Sequence, residues 1–452
     1  MSVLRTAAIG LVLILAACGA RTPEGPPPDA ADAFDGAWHG TLSIAGQSLR
    51  LELVLEPGED GVDGVLISLD QGDAQIALTD LTLEGEAITF AANPPGLSYD
   101  GLLEDGVITG TFSQNVLSAE LSFEPGRFDA AAASRTASLN PGESMVTVET
   151  GAVSLAGTLR MPRDARAGVV ILSGSGSQDR DGTFGAIEIY AALAEALAER
   201  GVASLRLDDR GVGESTGPAP EAPADLAADA AAAMDALANM AGLSCTGFAG
   251  HSEGGLIALL AAPEAEPHFI ISLAGMHMAM EATLLDQAEA MMRAAGAMDA
   301  QIAANQRLQQ AAFAVLRAAE PGEDVREAMQ AALIEAGAPP AVAARQARAF
   351  GQPYAAASFK LDPAQAAAAY DGPVLGVFGE HDLQVLPGPQ SQALVTARAD
   401  RPTDILILEG VNHLFQETET GAATEYGSAE HPISTPAITA IAERTAALAD
   451  QA

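Results

Sequence analysis

The chain has 452 residues, enough for two or three domains with separate cores, and 48% of them are apolar, which excludes a largely disordered polymer. Sixty acidic residues against 22 basic ones give a formal charge of −38, so phosphates would be repelled and nucleic acid is excluded as a partner. Lys360 is the only lysine, and the acidity reads as a solvated surface of a kind that suits a salty medium.

Arg5 precedes an apolar stretch, Ala7 to Ala17, too short to span a bilayer and proportioned like a signal-peptide core. It ends Leu15-Ala16-Ala17-Cys18-Gly19. This resembles the lipobox of bacterial lipoproteins. The resemblance implies acylation of Cys18 as the new N-terminus and export to a bacterial membrane, facing the periplasm. The other reading is an ordinary signal peptide in which Cys18 is incidental. No later apolar run has the length of a membrane span. Cys245 is the one other cysteine; placed just before a predicted strand, it reads as a small core residue. Residues 19–33, with Pro23, Pro26, Pro27 and Pro28, read as a flexible tether.

From 34 to 126 the chain changes character. Short alternating segments, Leu49–Leu55, Val65–Leu69, Ile76–Thr79 and Leu117–Leu121, are separated by turn signals such as Glu59-Asp60-Gly61, Asp100-Gly101 and Asp105-Gly106. Period-two alternation with such turns predicts an antiparallel meander of roughly eight strands, a small barrel or sandwich.

Residues 127–142 read as a linker, and from 143 to 452 the pattern becomes strand, helix, strand, helix. The apolar runs Val169–Leu172, Ala203–Leu207, Phe269–Leu273, Val374–Phe378 and Ile405–Leu408 alternate with alanine-rich helical stretches near 187–200, 224–240 and 436–450. Continuous apolar strands between helices predict a mostly parallel sheet covered on both faces. Between about 276 and 370, after the sixth strand, only helical periodicity remains. Leu284, Ala288, Met291 and Ala295 share one predicted face, and Val325, Met329, Ala332 and Leu333 another. This segment reads as a helical cap over the carboxyl edge of the sheet. Its methionines read either as pocket lining or as ordinary core.

Gly250-His251-Ser252-Glu253-Gly254 carries the chemistry. It follows a strand-like segment and opens a helix through Leu256, Ile257, Leu259 and Leu260. A nucleophile on that turn sits in strained geometry, and the flanking glycines let strand and helix approach closely. The Gly-x-Ser-x-Gly pattern alone is weak; its strand–turn–helix context gives it force. Serine needs an imidazole to take its proton and a carboxylate to fix the imidazole tautomer. These follow in chain order. Asp382 ends Gly379-Glu380-His381-Asp382 after one predicted strand, and His413 ends Glu409-Gly410-Val411-Asn412-His413 after the last. Glu380 is the nearest competing acid and His431 the one rival base. His39, His251, His268, His277 and His381 read as structural. The backbone N–H of Glu253 is one expected oxyanion donor, and that of Ser175, in Ser173-Gly174-Ser175-Gly176-Ser177, is the other, unless that loop is merely a flexible turn.

Residues 140–452 resemble a bacterial α/β-hydrolase esterase of the dienelactone-hydrolase and acyl-esterase type. The segments that carry this are Gly174–Gly182, Asp208–Ser215, Gly250–Gly254, and Gly379–Asp382 with Asn412-His413. Residues 34–126 resemble, more faintly, the β domain of some members. The resemblance implies an α/β-hydrolase fold, a small-molecule ester substrate, hydrolysis through an acyl-enzyme on Ser252, and neither metal nor cofactor. Asp208, Asp209 and Arg210 read as pins of a turn, and Asp179-Arg180-Asp181 as a salt-linked loop. Two other functions stay open. One is a serine peptidase of similar fold. The other is a lipoprotein with an inert hydrolase domain, whose β domain binds a hydrophobic ligand through aromatics such as Trp38, Phe90 and Tyr99.

Overall fold

The computed structural model describes residues 34, 36–44, 47–58, 61–68, 74–78, 80–92, 97–104, 106–114, 117–126, 139–320 and 322–451. The expected lipobox at Cys18, the expected tether and the linker up to residue 138 lie outside the described residues. Two compact units make up the chain.

The first is one antiparallel sheet of nine strands, one more than the pattern suggested: β1 (Gly36–Ile44), β2 (Gln47–Gly58), β3 (Gly61–Ser68), β4 (Ala74–Ala77), β5 (Thr82–Glu84), β6 (Ala87–Ala92), β7 (Leu97–Glu104), β8 (Val107–Gln114) and β9 (Leu117–Pro125). Its order is β4-β3-β2-β1-β9-β8-β7-β6-β5. A flat sheet of that width would hold its edges about 38 Å apart. The edge strands β4 and β5 are consecutive, and the link between them reaches about 18 Å at most. The sheet therefore curls on itself, as a barrel does. Along β7, Leu97 and Tyr99 are buried while Ser98 and Asp100 are exposed, the alternation that gives one face to the core. Trp38, Phe90, Tyr99, Phe112 and Phe123 fill that core. Phe90 and Tyr99 stack at 5.0 Å. Trp38 Nε1 donates to the Phe34 carbonyl, and the Tyr99 hydroxyl to that of Leu121. The aromatics pack on one another.

The second unit holds a sheet in the order β10-β11-β15-β12-β16-β17-β18-β19. These strands are β10 (Glu143–Thr150), β11 (Val153–Arg160), β12 (Ala167–Leu172), β15 (Val202–Leu207), β16 (Thr246–His251), β17 (Phe269–Leu273), β18 (Val374–Gly379) and β19 (Thr403–Leu408); β13 (Thr183–Phe184) and β14 (Ile187–Glu188) form a small ribbon. Only β11 runs against its neighbours. Val169 and Ile171 of β12 join a core with helices α1 (Ile189–Glu199) and α11 (Thr435–Ala449). Val170 between them joins the opposite core, with α2 (Pro223–Ala241) and α3 (Glu253–Ala265). Burial on both faces is why β12, β15, β17 and β18 read as unbroken apolar runs, whereas the apolar run of β19 lies at the partly exposed edge of the sheet.

After β12 the chain moves one way across the sheet to β15, and after β16 it moves the other way to β17. The loops following β12 and β16 thus flank the crevice at which such sheets place their sites. This is the α/β-hydrolase arrangement expected from the motifs.

Between β17 and β18 lie six helices: α4 (Met280–Ala294), α5 (Asp299–Ala318), α6 (Arg326–Glu335), α7 (Pro340–Phe350), α8 (Pro353–Phe359) and α9 (Pro363–Ala369). Phe313, Leu316, Met329, Leu333 and Phe359 give the cap a core of its own, so Met329 is core. On α4 the buried face is Thr283, Gln287, Ala288 and Met292, with Ala295 exposed, a shift from the expected Met291 and Ala295. Helix α9 does not belong to the cap. Its Ala367 packs under the sheet with Leu394 of α10 (Pro387–Arg398), so the cap stops short of residue 370.

Candidate active site

Ser252 stands between β16 and α3 with φ 54° and ψ −117°. A positive φ is uncommon for a residue with a side chain and stores strain that the surroundings must hold. Its amide donates to the Leu273 carbonyl at 2.8 Å, and its carbonyl accepts from Gly255 at 3.1 Å. A Cβ at Gly250 would lie 2.1 Å from the Gly254 oxygen, and one at Gly254 would lie 2.5 Å from the Ser173 oxygen. Any side chain at either position would push helix and strand apart and flatten the turn.

Asp382 and His413 end their loops in contact and are almost fully buried. His413 Nδ1 lies 2.7 Å from Asp382 Oδ2. The other carboxylate oxygen accepts the amides of Gln384 and Val385, each at 2.8 Å. A carboxylate only accepts, so the proton sits on Nδ1 and leaves Nε2 as a base. The His413 loop is tied by Asn412, whose Oδ1 accepts the amides of Leu414 and Gln416. Gly379 lets this loop close over the acid's strand: a Cβ there would be 2.5 Å from the Val411 oxygen. The rivals are engaged elsewhere. Glu380 is half exposed and accepts the Gly410 amide, and His431 faces the Glu417 carbonyl through Nδ1.

His413 is brought against His251, the residue before Ser252. Its ring centroid lies 4.8 Å from that of His251, and its carbonyl is 3.0 Å from His251 Nε2. No hydrogen bond joins the Ser252 hydroxyl to the His413 ring among the described residues; in substrate-free hydrolases that bond is often long and tightens on binding. His251 is fully buried, and burial first, then the proximity of His413, pushes its pKa down to about 3.

The loop after β12 touches Ser252, for a Cβ on Gly174 would lie 3.2 Å from Ser252 Cβ. Gly174 N–H donates to the Tyr190 hydroxyl at 3.1 Å. The amides of Ser175 and Glu253 enter no hydrogen bond among the described residues, as oxyanion donors must be left. The loop is anchored by Asp209, which accepts the Ser173 hydroxyl at 2.7 Å and the Gln178 amide at 3.0 Å. Asp208 is paired with Arg180, and Asp181 with Arg206, so Asp179-Arg180-Asp181 is salt-linked. The supporting role of Asp209 was missed by sequence reasoning. Its signal was the acidic pair at the end of β15, the strand beside β12. Tyr354, on cap helix α8, was missed too; its hydroxyl donates to Glu253 Oε1 at 2.7 Å. Among the described residues no group of three His, Cys, Asp or Glu side chains is placed to hold a metal ion.

A family profile described as serine aminopeptidase, S33, matches residues 164–419. Among solved structures the chain is similar to the esterase Est1E from Butyrivibrio proteoclasticus with ferulic acid bound, at 18% identity and TM-score 0.40 over 66% of this chain and 97% of that one. It is also similar to dienelactone hydrolase from Anabaena variabilis, at 18% and 0.37 over 68% and 97%. An esterase from Pyrococcus furiosus follows at 14% and 0.41 over 70% and 92%. No curated protein matches the sequence.

Proposed function

The chain belongs to the serine aminopeptidase S33 family of hydrolases, and from that premise we propose that it cleaves small to medium carboxylic esters through an acyl-enzyme on Ser252. The observation that carries this is the buried Asp382–His413 pair, its tautomer fixed, packed against His251, the residue before a serine on a strained turn. His413 Nε2 takes the Ser252 proton as the oxygen attacks the ester carbonyl. The resulting oxyanion is received by the amides of Glu253 and Ser175, a donor of this kind being worth about 3 kcal/mol. The intermediate collapses, the C–O bond to the alcohol breaks, and His413 returns its proton to the leaving oxygen. Water, deprotonated by the same ring, then releases the acid and restores the serine.

A fluorophosphonate probe is expected to label the wild-type enzyme at Ser252 and to leave Ser252→Ala unlabelled; equal labelling of both would remove the assignment. The family description favours a second reading, hydrolysis of aminoacyl amides. Aryl esters of increasing chain length, run beside aminoacyl amides, separate the two by kcat/KM. The inert, ligand-binding reading is disfavoured because Phe90 and Tyr99 are committed to the core of the β unit. We also hold that Cys18 is lipidated and anchors the exported protein to a membrane. Cys18→Ala is then expected to leave the detergent phase on partitioning, whereas an unchanged distribution would reduce Cys18 to an incidental residue.

A further inference from the structure

Tyr190 and His251 lie behind the reacting groups, and the hydrolysis steps use neither. Both are buried, with exposures of 2% and 3%, in a site where a polar group without a partner is costly. They are 61 residues apart, yet the Tyr190 hydroxyl sits 3.2 Å from His251 Nδ1. The other ring nitrogen, Nε2, lies 3.0 Å from the His413 carbonyl. A carbonyl only accepts, so Nε2 carries the proton and Nδ1 is left as an acceptor facing the Tyr190 hydroxyl. The hydroxyl's single proton serves two acceptors, His251 Nδ1 and Gln178 Oε1 at 2.8 Å, while its oxygen accepts the Gly174 amide at 3.1 Å. Gln178 Nε2 in turn donates to the Ser175 carbonyl at 3.1 Å.

These contacts form one path from the general-base loop to the loop offering the second oxyanion donor. We propose that His251 and Tyr190 are positioning residues: a buried polar bridge that fixes the backbone of His413 and the loop 174–178 relative to each other. The bridge also selects the donor. By occupying the Gly174 amide, Tyr190 leaves that of Ser175 for the oxyanion. A neutral His251 suits the task, since a cation there would disturb the adjacent base; burial holds the ring neutral at working pH. This proposal rests on the serine-hydrolase reading above.

The test uses the full chain with Tyr190→Phe, His251→Leu and His251→Gln, since glutamine keeps a donor for the His413 carbonyl. Each kcat is divided by the fraction of enzyme that a fluorophosphonate titrates, so misfolded protein does not count. Tyr190→Phe and His251→Leu are expected to lose roughly tenfold to a hundredfold in kcat on a short aryl ester, with KM changed by less than about threefold. His251→Gln is expected to recover most of the loss. Unchanged kcat in Tyr190→Phe and His251→Leu, even with lowered melting temperature, would overturn the bridge and leave it as packing; so would a glutamine variant no better than leucine. Failure of the probe to label wild type would instead strike the assignment of Ser252. Should His251→Leu not fold, Tyr190→Phe decides alone.

Discussion

The two oxygens of Asp382 face different donors, and this makes the residue sensitive to a change that preserves its shape. Oδ1 receives two backbone amides and Oδ2 receives His413 Nδ1–H. In Asp382→Asn, an amide oxygen turned toward Gln384 and Val385 leaves the NH2 group pointing at His413. The imidazole must then move its proton to Nε2, the atom that should accept from serine. The reverse orientation sets NH2 against two N–H groups at once. Asp382→Asn is therefore expected to fold and melt nearly as wild type while kcat falls by about 10⁴-fold. Steady-state kinetics beside a melting curve checks this. A loss below about tenfold would mean that Asp382 does not fix the tautomer.

At the level of elements, the cap reaches the turn that carries Ser252 through one bond. Glu253 begins α3, where a carboxylate is favoured by the helix N-terminus, but its own amide is a proposed oxyanion donor. A mobile negative charge there would oppose charge building on the substrate. Tyr354 of α8 holds that carboxylate. Tyr354→Phe is expected to lower kcat several-fold. Glu253→Gln is expected to make the same loss much smaller, because the charge to be restrained is gone. Measured kcat values for the singles and the double close the cycle, and strictly additive losses would reject the coupling. The same elements mark what sequence could convey. Asp382 and His413 could be picked out because each follows an apolar strand, buried β18 for the acid and the more exposed edge strand β19 for the base, whose ends topology brings together. β17 matched its apolar run because both of its faces are covered. The hairpin β10–β11 escaped notice: Glu143–Thr150 is a largely exposed edge strand with only Val148 buried. On α4 the alanines blur the contrast between faces, and the helix was read about one residue out of phase. Tyr190, Asp209 and Tyr354 act across 36 to 101 residues, and nothing in their neighbours in sequence announces the partner.

For the whole molecule, two electrostatic effects with different reach set how stability responds to solution conditions. With a formal charge of −38 the folded chain repels itself, and the repulsion acts through solvent. Raising salt from about 0.01 M to 1 M shortens the screening length from about 30 Å to about 3 Å, so the melting temperature at pH 7 is expected to rise by a few degrees. The second effect is internal. His251 and His277 are buried, and burial, aided by His413 for the one and Arg398 for the other, lowers each pKa to about 3. Unfolded, both rings bind a proton near pH 6.5; folded, they stay neutral until about 3. The unfolded chain thus binds more protons in that window, and stability falls as pH falls from about 6.5. The slope from these rings reaches about 2.7 kcal/mol per pH unit at most. Between pH 7 and 5 the melting temperature is therefore expected to drop. Salt screens charges across solvent but does not hydrate a buried ring, so the drop should persist in 1 M sodium chloride. Melting curves over pH 7 to 5 at low and high salt distinguish the two. A flat profile at both would show that water reaches these rings, and a drop seen only at low salt would assign the pH response to the surface.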